Sequence, residues 1–305
     1  METIEWLLAD VSLRAAVEHA LVDRHGLIAV SQATSRWLKQ SVERLVVYLG
    51  HDPGIEAVTP RQLSEWVQSE VGRGVSPVTV NSYLRAIKTL YSRLQKNGIV
   101  GTNPAAPVPF LPEPPPRPKA ISREDYEAMR AVADNARDRA IVDVLWASGC
   151  RLGGLASMRV DRMERWTGKD GSECFALLVT EKFSKPRWVY VGRERQEGDS
   201  LAAYLDERLR TNVPFLWLAH AWPIRKMSYQ TFESVLQKLR DNARIPAGRP
   251  SNAHSFRHAF AIRMLDEGED IAAVSAWLGH HSPEFTAATY VVRPENRLRS
   301  KFFKQ

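Results

Sequence analysis

Eight prolines crowd into residues 104–118 of a 305-residue chain, in the stretch NPAAPVPFLPEPPPRPKAIS. A proline fixes φ near −65° and has no amide proton, so a segment this dense in them is neither helix nor central strand. It reads as an extended, semi-rigid spacer, and the chain on either side is then expected to fold as separate domains. The sequence accordingly divides into a helical N-terminal extension (1–29), a helical bundle (30–103), the proline strap (104–119) and a larger C-terminal domain with a tail (120–305).

The bundle rests on three periodic stretches. Residues 34–49 set Leu38, Val42, Leu45 and Leu49 on one face, and residues 59–71 open with Pro60, which suits a first helical turn. Over residues 79–96, Val80, Leu84, Ile87, Tyr91 and Leu94 recur at 4-3-4-3 spacing, with Gly98 as a stop. The opposite stripe is Asn81, Arg85, Lys88, Ser92 and Lys96, able to meet phosphates and equally able to be an ordinary solvated face. Beyond the strap, Ser122 is placed to cap a helix with acids in its first turn, and residues 140–146 continue as helix. The runs CFALLVT (174–180) and WVYV (188–191) flank a polar turn and read as a hairpin, and helices return from Tyr229. The fold class is mainly α with a small β-hairpin or sheet.

A 44% hydrophobic and 25% charged composition belongs to a globular chain rather than a disordered one. No apolar run approaches the roughly 20 residues that span a bilayer. The opening METIEWLLAD carries Glu2, Glu5 and Asp10 and does not resemble a secretory leader. Cys150 and Cys174 are too few for a disulfide framework or a four-cysteine zinc site, so a reducing cytoplasm is expected. The net charge is +7, and the isoelectric point is near 9.5. Eleven Lys/Arg against ten Asp/Glu over residues 1–103 leave +6 of that for residues 104–305, the part on which a polyanionic partner would lean.

Three segments of the second part concentrate chemistry. ASGCRLGGLASM (147–158) sets Arg151 just after Gly149, SNAHSFRHAFAIRML (251–265) holds His254, Arg257 and His258, and WLGHHSPEFTAATY (277–290) holds two histidines and then Tyr290. Singly, each is ordinary. An arginine near a helix end caps carbonyls or pairs with an acid, and a lone tyrosine is a core or surface aromatic. His254 and His258 at i, i+4 share a helix face, which is also zinc spacing, but no acid completes an HExxH motif.

In this order, however, the segments closely resemble the active-site boxes of the tyrosine recombinases, the phage-integrase family that includes Cre- and Xer-like site-specific recombinases. His254-Ser-Phe-Arg257-His258-Ala-Phe-Ala resembles the family's HxLRHxFA, with Phe256 for the usual Leu, and runs on into Trp277-Leu-Gly-His280 at the family's spacing. Ser148-Gly-Cys-Arg151 resembles TGxR, and Glu181-Lys182-Phe-Ser-Lys185-Pro-Arg187 resembles the GKGxKxR hairpin. The likeness covers about residues 30–300. It implies a helical, SAM-like core-binding domain and an α+β catalytic domain, closing on double-stranded DNA from opposite faces.

The resemblance also implies a reaction. Tyr290 would be the nucleophile that forms a 3′-phosphotyrosyl bond, and Arg151 and Arg257 would hold the non-bridging oxygens with planar bidentate donors. Lys182 would protonate the departing 5′-oxygen, His254 would assist proton handling at the tyrosine, and His280 would hydrogen-bond the phosphate. Neither a metal ion, ATP nor any cofactor is implied. Arg85, Lys88, Lys96, Lys185 and Arg187 are the candidate DNA contacts. The partners would be a recombination site and further copies of the chain, four on two sites, acting in the cytoplasm on the nucleoid. The basic tail, with Phe302 and Phe303, would anchor on a neighbouring protomer. Integration or excision of a mobile element, or a related rearrangement, is the expected role.

The sequence departs from the family pattern in places. Where the family has Glu or Asp three residues after the first arginine, this chain has Gly154. His280 precedes Tyr290 by ten residues rather than nine, so His281 stands as an alternative, as Lys185 does to Lys182. Two other readings follow: a catalytically weak relative that only binds DNA, suggested by Gly154, and a metal-dependent hydrolase built on the histidines.

Overall fold

The computed structural model describes residues 11–21, 30–114, 118–181, 186–219, 221–280 and 282–290. The chain divides into two compact units between Pro114 and Pro115.

The first unit is built of α1 (Leu13–Leu21), α2 (Gln32–Leu49), α3 (Pro60–Gly72) and α4 (Pro77–Lys96). Helix α1 falls within the expected N-terminal extension; residues 1–10 and 22–29 lie outside the described residues. The helix starts are written in the local sequence. Ser31 and Ser76 accept from the amides of Thr34 and Thr79, and Thr59 forms a reciprocal box with Gln62 ahead of Pro60. Leu38, Val42, Leu45, Leu84, Ile87, Tyr91 and Leu94 close the core as their periodicity requires.

The polar stripe of α4 has a partner that its pattern does not announce. Asn81 is buried, its amide nitrogen donating to the Leu111 carbonyl (2.9 Å) and to Glu113 (2.7 Å) while its oxygen accepts from the Leu111 amide (2.8 Å). Lys88 donates to the Ala106 carbonyl (3.1 Å), and Asn103 donates to Ser92 (3.0 Å). Arg85 and Lys88 both lie over the Phe110 ring, at 5.1 and 4.8 Å from its centroid. Ala105 and Val108 are buried in the unit's core. The stripe read as able to meet phosphates is thus largely the seat of residues 103–113, and the first half of the proline strap is part of this unit rather than a free spacer. Proline-rich backbone has few amides of its own, so side chains of α4 satisfy its carbonyls.

The second unit contains α5 (Arg123–Ala131), α6 (Ala136–Ser148), α7 (Leu152–Ser157), β1 (Met163–Thr167), β2 (Glu173–Val179), β3 (Arg187–Val191), α8 (Arg195–Glu207), α9 (Tyr229–Asn242), α10 (Ala253–Asp266), α11 (Ile271–Leu278) and α12 (Pro283–Tyr290). The expected hairpin is β2–β3, with Val179 opposite Arg187, and β1 adds an antiparallel third strand on the other edge of β2. Among the described residues the chain is mainly helical with this one small sheet. Helix α6 is buried on almost every side, and its Trp146 stacks on Tyr126 at 4.2 Å with the Arg263 guanidinium 4.0 Å from its ring centroid.

Replacing Asn81 with Ala should remove three hydrogen bonds to the strap and leave the Leu111 amide and carbonyl short of partners. A loss of roughly 1–3 kcal/mol is expected, read by urea unfolding, together with faster proteolysis near residue 110. An unchanged midpoint and cleavage pattern would show that the strap is held by its apolar anchors alone.

Candidate active site

Helix ends position most of the site. Helix α6 stops at Gly149, a left-handed C-cap (φ 56°), and a Cβ there would fall 2.7 Å from the Phe260 ring of α10. Glycine therefore satisfies both the turn and the close approach of α10. Two residues later Arg151 sits at the N-cap of α7. Asn252 caps α10 through the Ser255 amide, so His254, Arg257 and His258 project from its first two turns. Asp270 caps α11, which ends at Gly279 (φ 66°) and delivers His280; Tyr290 closes α12.

Arg257 is 1% exposed. Its two Nη atoms donate to the Gly149 carbonyl (3.0 Å) and the Leu278 carbonyl (2.7 Å), joining the ends of α6 and α11. Burial, with the nearby Arg151, lowers its pKa to about 10, so it remains charged at neutral pH. Two of its five N–H groups are used by these carbonyls.

Tyr290 Oη lies 2.8 Å from His258 Nδ1. Burial raises the phenol pKa above its ordinary value, opposed by Arg257 and Arg151, so the resting hydroxyl keeps its proton. Burial, then His254 and Arg257, push the His258 ring down to about 4. A ring neutral at pH 7 can accept the phenol proton at Nδ1 when its own proton is on Nε2. His254, one turn earlier, meets His258 edge to face at 4.9 Å, its own pKa lowered by burial and by Arg257 and Arg151. Sequence reasoning gave the proton-handling role to His254, whereas the residue in hydrogen-bond reach of the tyrosine is His258. The i, i+4 spacing marked His258, but nothing in the sequence said which of the pair meets Tyr290.

His280 Nδ1 lies 2.6 Å from Thr286 Oγ1, and its ring is nearly parallel to that of Tyr290 at 6.4 Å. Arg151, His254 and His258, with Lys119 and Arg249, line a cleft of about 890 Å³. Arg151, His254, Arg257, His280 and Tyr290 are thus gathered in one region. Among the described residues, no group of three or more His, Cys, Asp or Glu is arranged to hold a metal ion, so His254 and His258 have no third ligand there.

Sequence reasoning missed Glu181. Its carboxylate is buried and accepts from the Arg151 amide (3.0 Å), pairs with the Arg151 guanidinium, and accepts from both Nη atoms of Arg187 (3.1 and 3.3 Å). Arg187 further donates from Nε to the Trp277 carbonyl (2.9 Å). Arg187, expected as a DNA contact, is turned inward and committed to these partners. Arg85 and Lys88 lie against the strap, and Lys96 is exposed at the end of α4. Lys182, Lys185, His281 and the tail after Tyr290 lie outside the described residues.

The profile of the Phage integrase family matches residues 119–297, more than half of the chain and all of the site described above. The chain belongs to the phage integrase family. Tyrosine recombinase XerC of Leptospira interrogans is 30% identical over 229 residues, covering 72% of this chain and 70% of that protein. Tyrosine recombinase XerD of Pseudomonas putida is 28% identical over 220 residues, covering 68% and 69%. Among solved structures, the XerH site-specific recombinase bound to palindromic difH substrate in a post-cleavage complex matches with a TM-score of 0.70 at 16% identity, covering 92% of this chain and 80% of that one. The Tn1549 transposon integrase in complex with transposon right end DNA matches with 0.68 at 15%, covering 95% and 98%. At these identities the structural likeness is one of fold. As a family member the chain is a tyrosine-type site-specific DNA recombinase, an enzyme of DNA strand transfer. No helix among the described residues is long and apolar enough to cross a membrane.

The lowered pKa of His258 sets a direction for stability. The folded ring binds its proton more weakly than an unfolded one near 6.5, so its contribution is present above that pH and lost as pH falls toward 4. In histidine-selective NMR the His258 ring should stay neutral through pH 6 and titrate near 4. A midpoint near 6.5 would show that the Tyr290 contact leaves it solvated.

Proposed function

We propose that this integrase cuts and rejoins DNA through a 3′-phosphotyrosyl intermediate at Tyr290, and that His258 receives the phenol proton. The observation that carries the reading is the 2.8 Å contact between Tyr290 Oη and a neutral His258, set beside two arginines. In the cleavage step Tyr290 Oη attacks phosphorus, forming an O–P bond, while the P–O5′ bond breaks. The tyrosine proton passes to His258 Nδ1, and the departing 5′-oxygen takes a proton from Lys182. Arg151 and Arg257 balance the charge on the non-bridging oxygens, and His280 adds a donor to the phosphate. His254 keeps a supporting place beside His258, holding the two-ring face of α10 toward the cleft.

The phosphotyrosyl linkage conserves the energy of the broken phosphodiester bond, so religation to a second strand requires neither ATP nor metal. The partner is a double-stranded recombination site, bound with strong salt dependence through phosphate contacts. Exchange between two sites implies four copies of the chain, with the tail after Tyr290 as the element reaching a neighbour. Action on a mobile element, in the cytoplasm and on the nucleoid, fits the likeness to a transposon integrase and to Xer proteins. The binding-only alternative is not favoured, because its one ground, the missing acid at Gly154, is met by a buried carboxylate at the same place.

A randomised library of nicked duplexes, in which the cleaved fragment diffuses away, should yield an SDS-resistant adduct in EDTA with the wild-type chain. Tyr290→Phe should bind the same DNA and give none, a loss of at least a thousandfold in adduct. An adduct with Tyr290→Phe, or one abolished by EDTA, would overturn the reading.

A further inference from the structure

The carboxylate of Glu181 occupies the place that a side chain at position 154 would fill. A Cβ built on Gly154 would lie 2.8 Å from Glu181 Oε1 and 3.1 Å from its Cγ, so the two cannot both be present without displacing the carboxylate. Gly154 has ordinary helical geometry in α7, and nothing in its backbone demands glycine; only the space does. The two positions also depart from the family motifs in opposite senses. An acid is expected at 154 and glycine stands there, while glycine is the first residue of GKGxKxR and Glu181 stands there.

We infer that the two departures are one exchange: Glu181, on the hairpin, is the positioning residue for the Arg151 guanidinium, and position 154 is glycine because that carboxylate fills its place. The geometry supports the assignment on both sides of the arginine. Glu181 accepts from the Arg151 backbone amide as well as pairing with its guanidinium, which fixes the N-cap of α7 and the side chain together. The same carboxylate holds Arg187, whose Nε is tied to the Trp277 carbonyl and stands 3.1 Å from where a Cβ on Gly279 would be, one residue before His280. One buried anion thus connects the first arginine, both ends of the hairpin turn and the approach to His280. It also offsets the repulsion among Arg151, Arg187 and Arg257. An acid on α7 could orient Arg151 without involving the hairpin; an acid at position 181 makes arginine placement depend on where the hairpin lies.

This inference rests on the phosphotyrosyl reading for its catalytic consequence, so its test has one readout within that chemistry and one outside it. With the nicked duplex, Glu181→Gln should slow adduct formation at saturating DNA by roughly 10- to 100-fold, by analogy with the loss on removing hydrogen-bond partners that orient metal-ligating side chains, with DNA affinity within about threefold. Gly154→Ala, which adds one methyl, should show a similar loss. The exchanged chain, Gly154→Glu with Glu181→Gly, should recover at least a tenth of the wild-type rate where Glu181→Gly alone does not. The second readout is thermal unfolding. Gly154→Ala should lower the midpoint in the wild-type background and not in the Glu181→Gly background, a non-additivity that needs no cleavage to observe. A wild-type chain that forms no adduct would defeat the phosphotyrosyl reading while the unfolding cycle still decides whether the two positions share one space. Additive midpoints, or a Glu181→Gln rate within twofold of wild type, would overturn the inference.

Discussion

A guanidinium buried to 1% exposure is costly unless its donors are met, and Arg257 is met by backbone. Its partners are the carbonyls that end α6 and α11, groups that helix geometry leaves without intrahelical partners. The arginine thereby fastens the residue before Cys150-Arg151 to the residue before Gly279-His280, with its own helix, α10, supplying His254 and His258. Neutral carbonyls, rather than a carboxylate, hold it. Carbonyl dipoles orient a cation without cancelling it.

The histidines and the tyrosine follow from the same dryness. The burial that lowers Arg257 to about 10 lowers His258 to about 4 and raises Tyr290, so the pair at 2.8 Å rests as neutral imidazole and neutral phenol.

What the sequence showed depended on how local the cause was. Helices α2, α3 and α4 were legible because their signals are local: Leu38, Val42 and Leu45 recur on one face, Pro60 opens a first turn, and Val80, Leu84 and Ile87 repeat at helical spacing. The hairpin was legible from alternating runs about a polar turn. Strand β1 was not: MERWT presents four exposed positions in five and owes its conformation to pairing with β2. The seating of the strap was hidden because Asn81 meets Leu111 across 30 residues, and the polar stripe had an ordinary solvated reading. In the site, the residue types and their order were readable through the family motifs, whereas two pairings were not. Glu181 meets Arg151 across 30 residues, and His258 rather than His254 meets Tyr290 across 32; both are decided by packing, which no motif spacing encodes.

The proposed mechanism turns on transfer of phosphate to one particular phenol. Trapped wild-type adduct, formed in EDTA and digested with nuclease and then protease, would be mapped by tandem mass spectrometry. The expected product is a nucleotide joined through its 3′-phosphate to Tyr290, stable to the mild acid and base that would release histidine- or serine-linked phosphate. The same mark on any other residue, or a 5′-phosphate linkage, would contradict it.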